Sequence, residues 1–260
     1  MSDAVSDIRF GYFGKYPGYR DFVQRGLPAR FIDRWRRWNA VVMDTGNSLL
    51  GDRWLDVYLT SPVWRFALRD HNLGEGIWLG ALMPSMDARQ RYFPLCVVAC
   101  LPSEPPFQLL RRSEPFLVAL EDAMIATLQE PYCDTDDLAK HFDALWESSA
   151  TDCLHEVIEP EAHAAQTEAV QENATQERQA LYELDRFVAR SNDSAGIWHA
   201  AQVARGNQCL KVLPSLPDPT VFVRLQESTV MIGHPPETGI HDAQGPLAEP
   251  PSGESMAERQ

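Results

Sequence analysis

The sequence predicts an α/β fold: a mixed β-sheet flanked by helices on both faces, that is, an αβα sandwich. Segments with helical and with strand periodicity alternate along the 260 residues, which is typical of a sheet with helices packed on it. Residues 92–101 form an almost continuous apolar run, as expected for a central strand covered on both faces. Hydrophobic residues make up 44% of the chain, enough for a substantial core.

The N-terminal part predicts one strand and two helices. Residues 8–13 alternate in the manner of a strand, and the turn-rich residues 14–20 follow. Pro28 suits the first position of a helix, where its missing N–H is not needed. The apolar stripe of that helix, with steps of three and four, consists of Phe31, Trp35, Trp38 and Val42. We expect the helix to end near Gly46 and a second amphipathic segment to cover residues 48–58.

Strands dominate the middle of the chain, and two helices follow them. Pro62 ends the helical segment, residues 63–68 predict a strand, and residues 72–76 predict a turn. Residues 77–83 predict the strand before the central one. Apolar residues at about every fourth position then predict two helices, with Phe116, Leu120, Met124 and Leu128 in the first and Leu138, Phe142 and Leu145 in the second.

The C-terminal part predicts further strands on either side of polar segments. Strands are expected at residues 197–203 and 208–213, with a short helix after Pro217. Residues 1–232 are interpreted as a single domain with an inserted acidic linker at about 155–180, rich in Ala, Gln and Glu. Residues 233–260 are rich in Pro, Gly and Glu, and they predict a disordered tail.

The net charge of −14 argues against nucleic acid as a partner and against binding to an anionic membrane. The charge is unevenly spread, because residues 8–40 carry eight Lys and Arg against two Asp, whereas residues 151–185 carry nine Asp and Glu against one Arg. Two interpretations stay open: both stretches are simply solvated, or the basic stretch steers an acidic partner onto the domain.

The sequence also predicts a cytoplasmic protein without membrane insertion. The polar, acidic residues 1–7 do not resemble a secretory leader, and no apolar run approaches the length of a transmembrane helix. The five cysteines, an odd number, do not form a disulfide framework.

No catalytic, cofactor-binding or metal-binding residue is predicted. Tyr16 follows Lys15 where a P-loop needs Ser or Thr, so a nucleotide site is not indicated. Cys96 and Cys100 would lie about 13 Å apart along a strand, too far to share a metal ion. No Gly-x-Ser-x-Gly motif occurs. An unrecognised hydrolase that uses Ser85 and Asp87 stays as an alternative, because a catalytic triad is defined by geometry rather than sequence.

Two polar clusters, residues 14–23 and 84–95, place Arg and Asp between Gly or Pro turns and strongly apolar segments. The candidate residues are Lys15, Arg20, Asp21, Ser85, Asp87 and Arg91. In one interpretation these charges pair with each other and brace the loops, because arginine and carboxylate form directional paired hydrogen bonds. In the other, both loops lie at one end of the sheet and form a recognition surface.

The same two clusters begin a longer similarity, over about residues 10–101 and more thinly to about residue 225. Its motifs are Phe13-Gly14-Lys15, Asp21-Phe22-Val23, Arg25-Gly26-Leu27-Pro28, Ser61-Pro62-Val63-Trp64, Trp78-Leu79-Gly80, Pro84-Ser85-Met86-Asp87 and Arg91-Tyr92-Phe93-Pro94-Leu95. Together they resemble the TagF family of type VI secretion. Arg20 and Gln90 stand where the family usually has glycine.

The resemblance implies a cytoplasmic, post-translational negative regulator of type VI secretion in Gram-negative bacteria, with an α/β sandwich fold and no enzymatic activity. It further implies repression of assembly through an Fha-type forkhead-associated scaffold protein. If the two loops form that contact, hot spots are expected among Lys15, Arg20, Asp21, Asp87 and Arg91. A structural accessory that binds through its linker or tail is the alternative.

Overall fold

The computed structural model describes residues 9–101, 105–129, 131, 134–154, 194–202 and 207–233. The strands in this part are β1 (Arg9–Lys15), β2 (Phe22–Arg25), β3 (Trp64–Asp70), β4 (Ile77–Met83), β5 (Leu95–Leu101), β6 (Ser194–Gln202) and β7 (Asn207–Leu213). The helices are α1 (Ala29–Leu50), α2 (Trp54–Thr60), α3 (Pro106–Arg112), α4 (Glu114–Gln129), α5 (Thr135–Leu154) and α6 (Pro219–Gly233). A short 3₁₀ turn, Gly51–Arg53, joins α1 to α2.

The strands form one sheet in the order β2-β1-β5-β4-β3-β6-β7. Every pairing between the described strands is antiparallel, where a mixed sheet was expected. Short connections account for two of these pairings: residues 71–76 join β3 to β4 and residues 203–206 join β6 to β7. Such links are far shorter than the dozen or more residues that a parallel crossover needs.

Helices cover both faces of the sheet, so the predicted sandwich is confirmed. On one face, side chains such as Ala67, Leu79 and Val97 pack with residues of α3, α4 and α5. The alternate positions of the same strands, among them Phe66, Trp78 and Val98, pack with α1, α2 and α6. The predicted central strand, β5, is buried along its whole length. It starts only at Leu95, however, because Tyr92 forms an isolated bridge with Met86 instead of extending the strand.

The predicted stripe of α1 is confirmed as the centre of the second core. Phe31, Trp35, Trp38 and Val42 are all buried. The Trp35 ring centroid lies 5.3 Å from that of Phe66 in β3, and the Trp38 centroid lies 5.0 Å from that of Phe222 in α6. Burial of several large aromatic side chains is the main stabilising contribution to this side of the sandwich.

The end of α1 differs from the prediction, because the helix continues past Gly46 to Leu50. A Cβ atom at position 46 would lie 2.5 Å from the ring of Trp54, so this glycine makes room for α2 rather than ending α1. The break comes at Gly51, whose φ of +54° favours glycine.

The sequence did not predict β2 or α3, and it predicted the remaining elements with shifts of a few residues at their ends. The expected acidic linker at about 155–180 and the expected tail, apart from Gly233, lie outside the described residues. The single-domain interpretation therefore stays a prediction. In the ranges that the structure describes, no helix has both the length and the apolar character needed to span a bilayer.

Candidate functional site

The sheet register brings the two polar clusters together. Phe13 in β1 pairs with Cys96 in β5, and Met83 at the end of β4 pairs with Leu95. The loop that follows β1 and the loop that joins β4 to β5 therefore leave the sheet at the same end. The backbone N–H of Ala88 donates to the carbonyl of Tyr19 at 2.8 Å, which joins the two loops directly.

Asp87 is the centre of the contact between the loops, and its side chain is fully buried. Its Oδ2 accepts hydrogen bonds from Lys15 Nζ at 2.9 Å and from Arg91 Nε at 2.7 Å. Its Oδ1 accepts from the backbone N–H groups of Arg89 at 2.9 Å and Arg91 at 3.0 Å. We call Lys15, Asp87 and Arg91 the Asp87 brace.

The donors around Asp87 keep its carboxylate ionised despite burial. Burial alone would raise the pKa of Asp87, since a buried charge loses its hydration. The backbone N–H of Arg91, the ammonium of Lys15 and the backbone N–H of Arg89 act in the opposite direction, and they hold the pKa well below its usual range. The brace is therefore a charged cluster in which both oxygens of the Asp87 carboxylate accept hydrogen bonds.

Lys15 reaches Asp87 because β1 runs close beside the start of β5. Its Nζ atom also lies 5.4 Å from the centroid of the Phe22 ring, a cation–π contact. The close approach depends on Gly14, since a Cβ atom there would lie 2.2 Å from the carbonyl oxygen of Pro94. Gly14 thus allows β1 to lie close to Pro94, and Lys15 at the end of β1 binds Asp87.

Ser85 is held by Tyr58 of α2, a residue that the sequence did not single out. The Tyr58 hydroxyl donates to the carbonyl of Ser85 and accepts from its N–H, both at 2.8 Å. Burial raises the pKa of Tyr58, so the hydroxyl stays protonated. Tyr58 is the last residue of the amphipathic segment predicted at residues 48–58, and that position does not distinguish a core ring from a loop anchor.

The side chain of Ser85 is poorly placed for nucleophilic catalysis. Its Oγ atom is buried and makes no hydrogen bond to any described residue. An activated serine needs a base within hydrogen-bonding reach. Asp87, the other residue of the hydrolase alternative, has both its oxygens engaged by the brace and the loop backbone.

The remaining candidates lie on the surface, next to the brace. Arg20 and Asp21 are exposed, and the side chain of Arg91 is 50% exposed even though its Nε atom binds Asp87. Arg91 Nη2 donates to the carbonyl of Arg20 at 2.5 Å, which fixes the two arginines beside each other. We call the exposed residues Tyr19, Arg20, Asp21, Arg89 and Arg91 the rim.

The structure therefore separates the six candidates by location. Lys15, Ser85 and Asp87 are buried between the loops, Arg20 and Asp21 are exposed, and Arg91 belongs to both groups. Arg20 and Gln90, which stand where the family usually has glycine, also differ in backbone conformation. Gln90 has a φ of +60°, a conformation that favours glycine, whereas Arg20 has no positive φ.

The described cysteine and histidine residues do not form a metal centre. Across the described ranges, no group of three or more His, Cys, Asp and Glu side chains could hold a metal ion. Cys96 and Cys100 are buried in β5 and form no disulfide, and burial raises the pKa of the Cys96 thiol.

The comparisons with known proteins agree with this geometry. A family model described as the TagF N-terminal domain, type VI secretion system-associated, matches residues 11–145, more than half of the chain. The chain belongs to the TagF family. It is therefore a type VI secretion system-associated protein, and the resemblance seen in its sequence is confirmed.

A solved structure extends the similarity beyond the N-terminal domain of this TagF chain. The crystal structure of PA0076 from Pseudomonas aeruginosa PAO1 superposes with a TM-score of 0.59 at 29% sequence identity. The alignment covers 95% of this chain and 100% of PA0076. No curated protein sequence matches significantly.

Proposed function

We propose that this protein is a cytoplasmic accessory protein that represses type VI secretion post-translationally by binding an Fha-type forkhead-associated scaffold protein. In this proposal the rim contacts the partner, and the protein catalyses no reaction of its own. Family membership supports the link to type VI secretion. The observation that supports the site is the Asp87 brace, which holds two exposed loops in one conformation.

The brace favours recognition because it fixes the rim before a partner arrives. Association costs free energy for every loop and side chain that must be ordered, and a preformed surface avoids part of that cost. The backbone of Tyr19 and Arg20 is already tied to Ala88 and Arg91 across the two loops. Arginine and tyrosine are also the residue types that most often dominate binding energy at protein interfaces.

The hydrolase alternative finds no comparable support. Its nucleophile would be Ser85, whose hydroxyl is buried and has no base beside it among the described residues. Lys15, Asp87 and Arg91 bind one another, and the exposed Arg20 and Asp21 belong to the rim.

The test is a binding measurement with the purified Fha-type protein encoded with the same secretion system. Arg20→Glu changes an exposed side chain while leaving the brace intact, and Arg36→Glu on α1 is a matched charge reversal away from the rim. We expect Arg20→Glu to weaken binding about tenfold or more, as loss of an interface hot spot does. Arg36→Glu should bind within about twofold of the wild type.

Two outcomes would contradict the proposal. One is unchanged binding by Arg20→Glu, with an intact fold shown by circular dichroism. The other is loss of binding when residues 233–260 are deleted while Arg20→Glu still binds, because that result favours a contact through the tail. In cells, Arg20→Glu should raise secretion activity if the protein is a repressor.

A further inference from the structure

A second surface feature lies on the α1–α6 side of the sandwich. It is a groove of about 480 Å³ between α1 and the turn that precedes α6. We call it the α1–α6 groove. One wall consists of Arg34, Arg37, Trp38 and Val41, which follow each other at helical spacing, and the other consists of Leu216, Pro217, Asp218 and Pro219.

The groove and the rim share no residue. Arg34 lies beside Asp70, the last residue of β3, with 3.5 Å between Nε and Oδ2. The first residue of β3, Trp64, pairs with Leu82 near the loop that carries Asp87. The length of β3 therefore separates Arg34 from the loop that carries Asp87.

The walls of the groove are fixed to each other. The indole N–H of the buried Trp38 donates to the carbonyl of Pro217 at 2.8 Å. Pro217 and Pro219 restrict the backbone of the turn further, since the ring of proline fixes φ. The groove is thus preformed, as ligand-binding clefts usually are.

The guanidinium groups of Arg34 and Arg37 line the groove and could bind an anionic ligand. Arg37 donates from Nε to the carbonyl of Asp33 at 3.2 Å, and no carboxylate of a described residue forms an ion pair with it. The side chain of Arg34 is 41% exposed, although its buried Nε atom lies 3.5 Å from Oδ2 of Asp70. Both can therefore accept an anionic partner.

Two carboxylates at the groove, those of Asp70 and Asp218, have other partners as well. Asp70 is completely buried, and it accepts hydrogen bonds from Ser215 Oγ at 2.7 Å and from the N–H of Asn72 at 2.8 Å. Asp218 accepts from the N–H of Thr220 at 2.8 Å, which caps the start of α6. Each carboxylate therefore also accepts hydrogen bonds from groups other than the two arginines.

Apolar surface lies directly beside this charge. Val41 in the wall of the groove is 50% exposed, and Val221, in the first turn of α6, is 48% exposed. A purely ionic ligand would leave this apolar surface in water. A peptide segment that carries acidic side chains next to an apolar one would cover both parts of the surface.

We infer that the α1–α6 groove is a docking site for an acidic peptide segment of a partner protein, with an apolar anchor residue among its carboxylates. Charge complementarity selects this class, because two arginines line the groove against one carboxylate, that of Asp218. The inference does not rest on the identity of the partner proposed for the rim, and the two sites are tested with different variants.

The probe is a short fluorescein-labelled peptide in which single leucines stand among glutamates, measured by fluorescence anisotropy on the full chain. Matched peptides replace the glutamates with glutamine or the leucines with serine. Arg37→Gln removes a groove arginine that makes one backbone hydrogen bond and is the safer variant for folding; Arg34→Gln is the second. Arg36→Gln is the control, because Arg36 is exposed on the same helix but does not line the groove.

We expect Arg37→Gln and Arg34→Gln each to weaken binding of the leucine–glutamate peptide about tenfold, and Arg36→Gln to change it less than about twofold. Each matched peptide should bind the wild-type chain at least about tenfold more weakly than the original, since both the charge and the apolar contact contribute. Arg20→Glu should leave this binding unchanged, which separates a failure here from a failure at the rim.

Several results would overturn the inference. Four results would each show that no specific acidic-peptide site exists. Two of them are the absence of measurable binding to the wild-type chain and a loss of affinity with Arg36→Gln as large as that with Arg37→Gln. The other two are binding of the serine-containing peptide, or of single-stranded DNA, as tight as that of the leucine–glutamate peptide. A tenfold gain in affinity after replacing Glu159, Glu161, Glu168, Glu172 and Glu177 with glutamine would assign the groove to the chain's own acidic segment. A dimer in solution that Arg37→Gln dissociates would assign it to a second copy.

Discussion

The Nζ atom of Lys15 lies 2.9 Å from Oδ2 of Asp87, a residue 72 positions later in the chain, and both side chains are buried. This ion pair connects the end of β1 to the loop between β4 and β5. A buried ion pair is weak evidence for net stability, because desolvation of the two charges opposes their attraction. It does make the geometry of the loops specific, since neither charge has an equivalent place elsewhere nearby.

Removal of both partners should therefore cost less than the sum of the two single removals. Lys15→Met leaves the buried carboxylate of Asp87 with fewer donors, and we expect the free energy of unfolding to fall by about 3 kcal/mol. The double variant Lys15→Met with Asp87→Asn should be less destabilised than the sum of the single variants. Urea denaturation measures all three. Lys140→Met, at an exposed position on α5, is the control and should change stability by less than about 0.5 kcal/mol.

A strictly additive double variant, or a loss with Lys15→Met as small as that with Lys140→Met, would contradict the role given to the pair. Arg91 would then suffice to hold Asp87, and the brace would consist of that contact and the backbone N–H groups.

The lowered pKa of Asp87 predicts a dependence of stability on pH. A carboxyl whose pKa is lower in the folded state than in the unfolded state stabilises the fold above the unfolded pKa of about 4, and this contribution is lost as pH falls below it. Between pH 5 and pH 3 the wild type should lose about 1 kcal/mol more stability than Asp87→Asn. Urea midpoints at the two pH values provide the measurement. Parallel losses in both proteins would contradict an ionised Asp87 with a lowered pKa.

The sandwich could be predicted from the sequence because its signals are local and redundant. The stripe that contains Trp35 and Trp38 and the buried run of β5 each define an element without knowledge of its neighbours. Gly46 was misinterpreted because its purpose is a contact with Trp54, which only the packing of α2 against α1 reveals. The strand directions depend on which elements become neighbours, and periodicity does not contain that information.

The candidate site could be predicted in part for the same reason. The sequence indicated Lys15, Asp87 and Arg91 as unusual charges between turns and apolar segments, but it left open whether they brace the loops or face a partner. The register of β1 against β5 decides where each side chain lies. Tyr58 escaped prediction because its hydroxyl binds the backbone of Ser85, a contact between residues 27 positions apart that no residue pattern encodes.

The close approach of β1 to β5 at Gly14 makes a specific prediction about stability. An added Cβ would lie 2.2 Å from the carbonyl oxygen of Pro94 and 2.6 Å from Cα of Leu95, both backbone atoms that cannot move independently. Gly14→Ala should therefore lower the free energy of unfolding by about 3 kcal/mol. Gly51→Ala is the matched control, because Gly51 also has a positive φ but has no atom within 4 Å of the added methyl group.

Thermal denaturation of the two alanine variants distinguishes steric overlap from backbone preference. Gly51→Ala should cost about 1–2 kcal/mol, because φ of +54° with ψ of −130° is a sparsely populated backbone conformation for an L-residue. If Gly14→Ala is no more destabilising than Gly51→Ala, the strands can separate enough to accept the methyl group, and the position of Lys15 does not depend on this approach.

Gln90 offers a prediction of the opposite sign. It lies in the loop that carries Asp87, and its φ of +60° is unfavourable for a residue with a Cβ atom. Gln90→Gly should therefore raise the free energy of unfolding by up to about 1 kcal/mol, even though glycine increases the entropy of the unfolded chain. Arg20→Gly is the control: Arg20 has no positive φ, so glycine there should lower stability by about 0.5 kcal/mol. Urea denaturation of both variants gives the comparison, and equal destabilisation by the two glycines would show that the loop relaxes around Gln90 without strain.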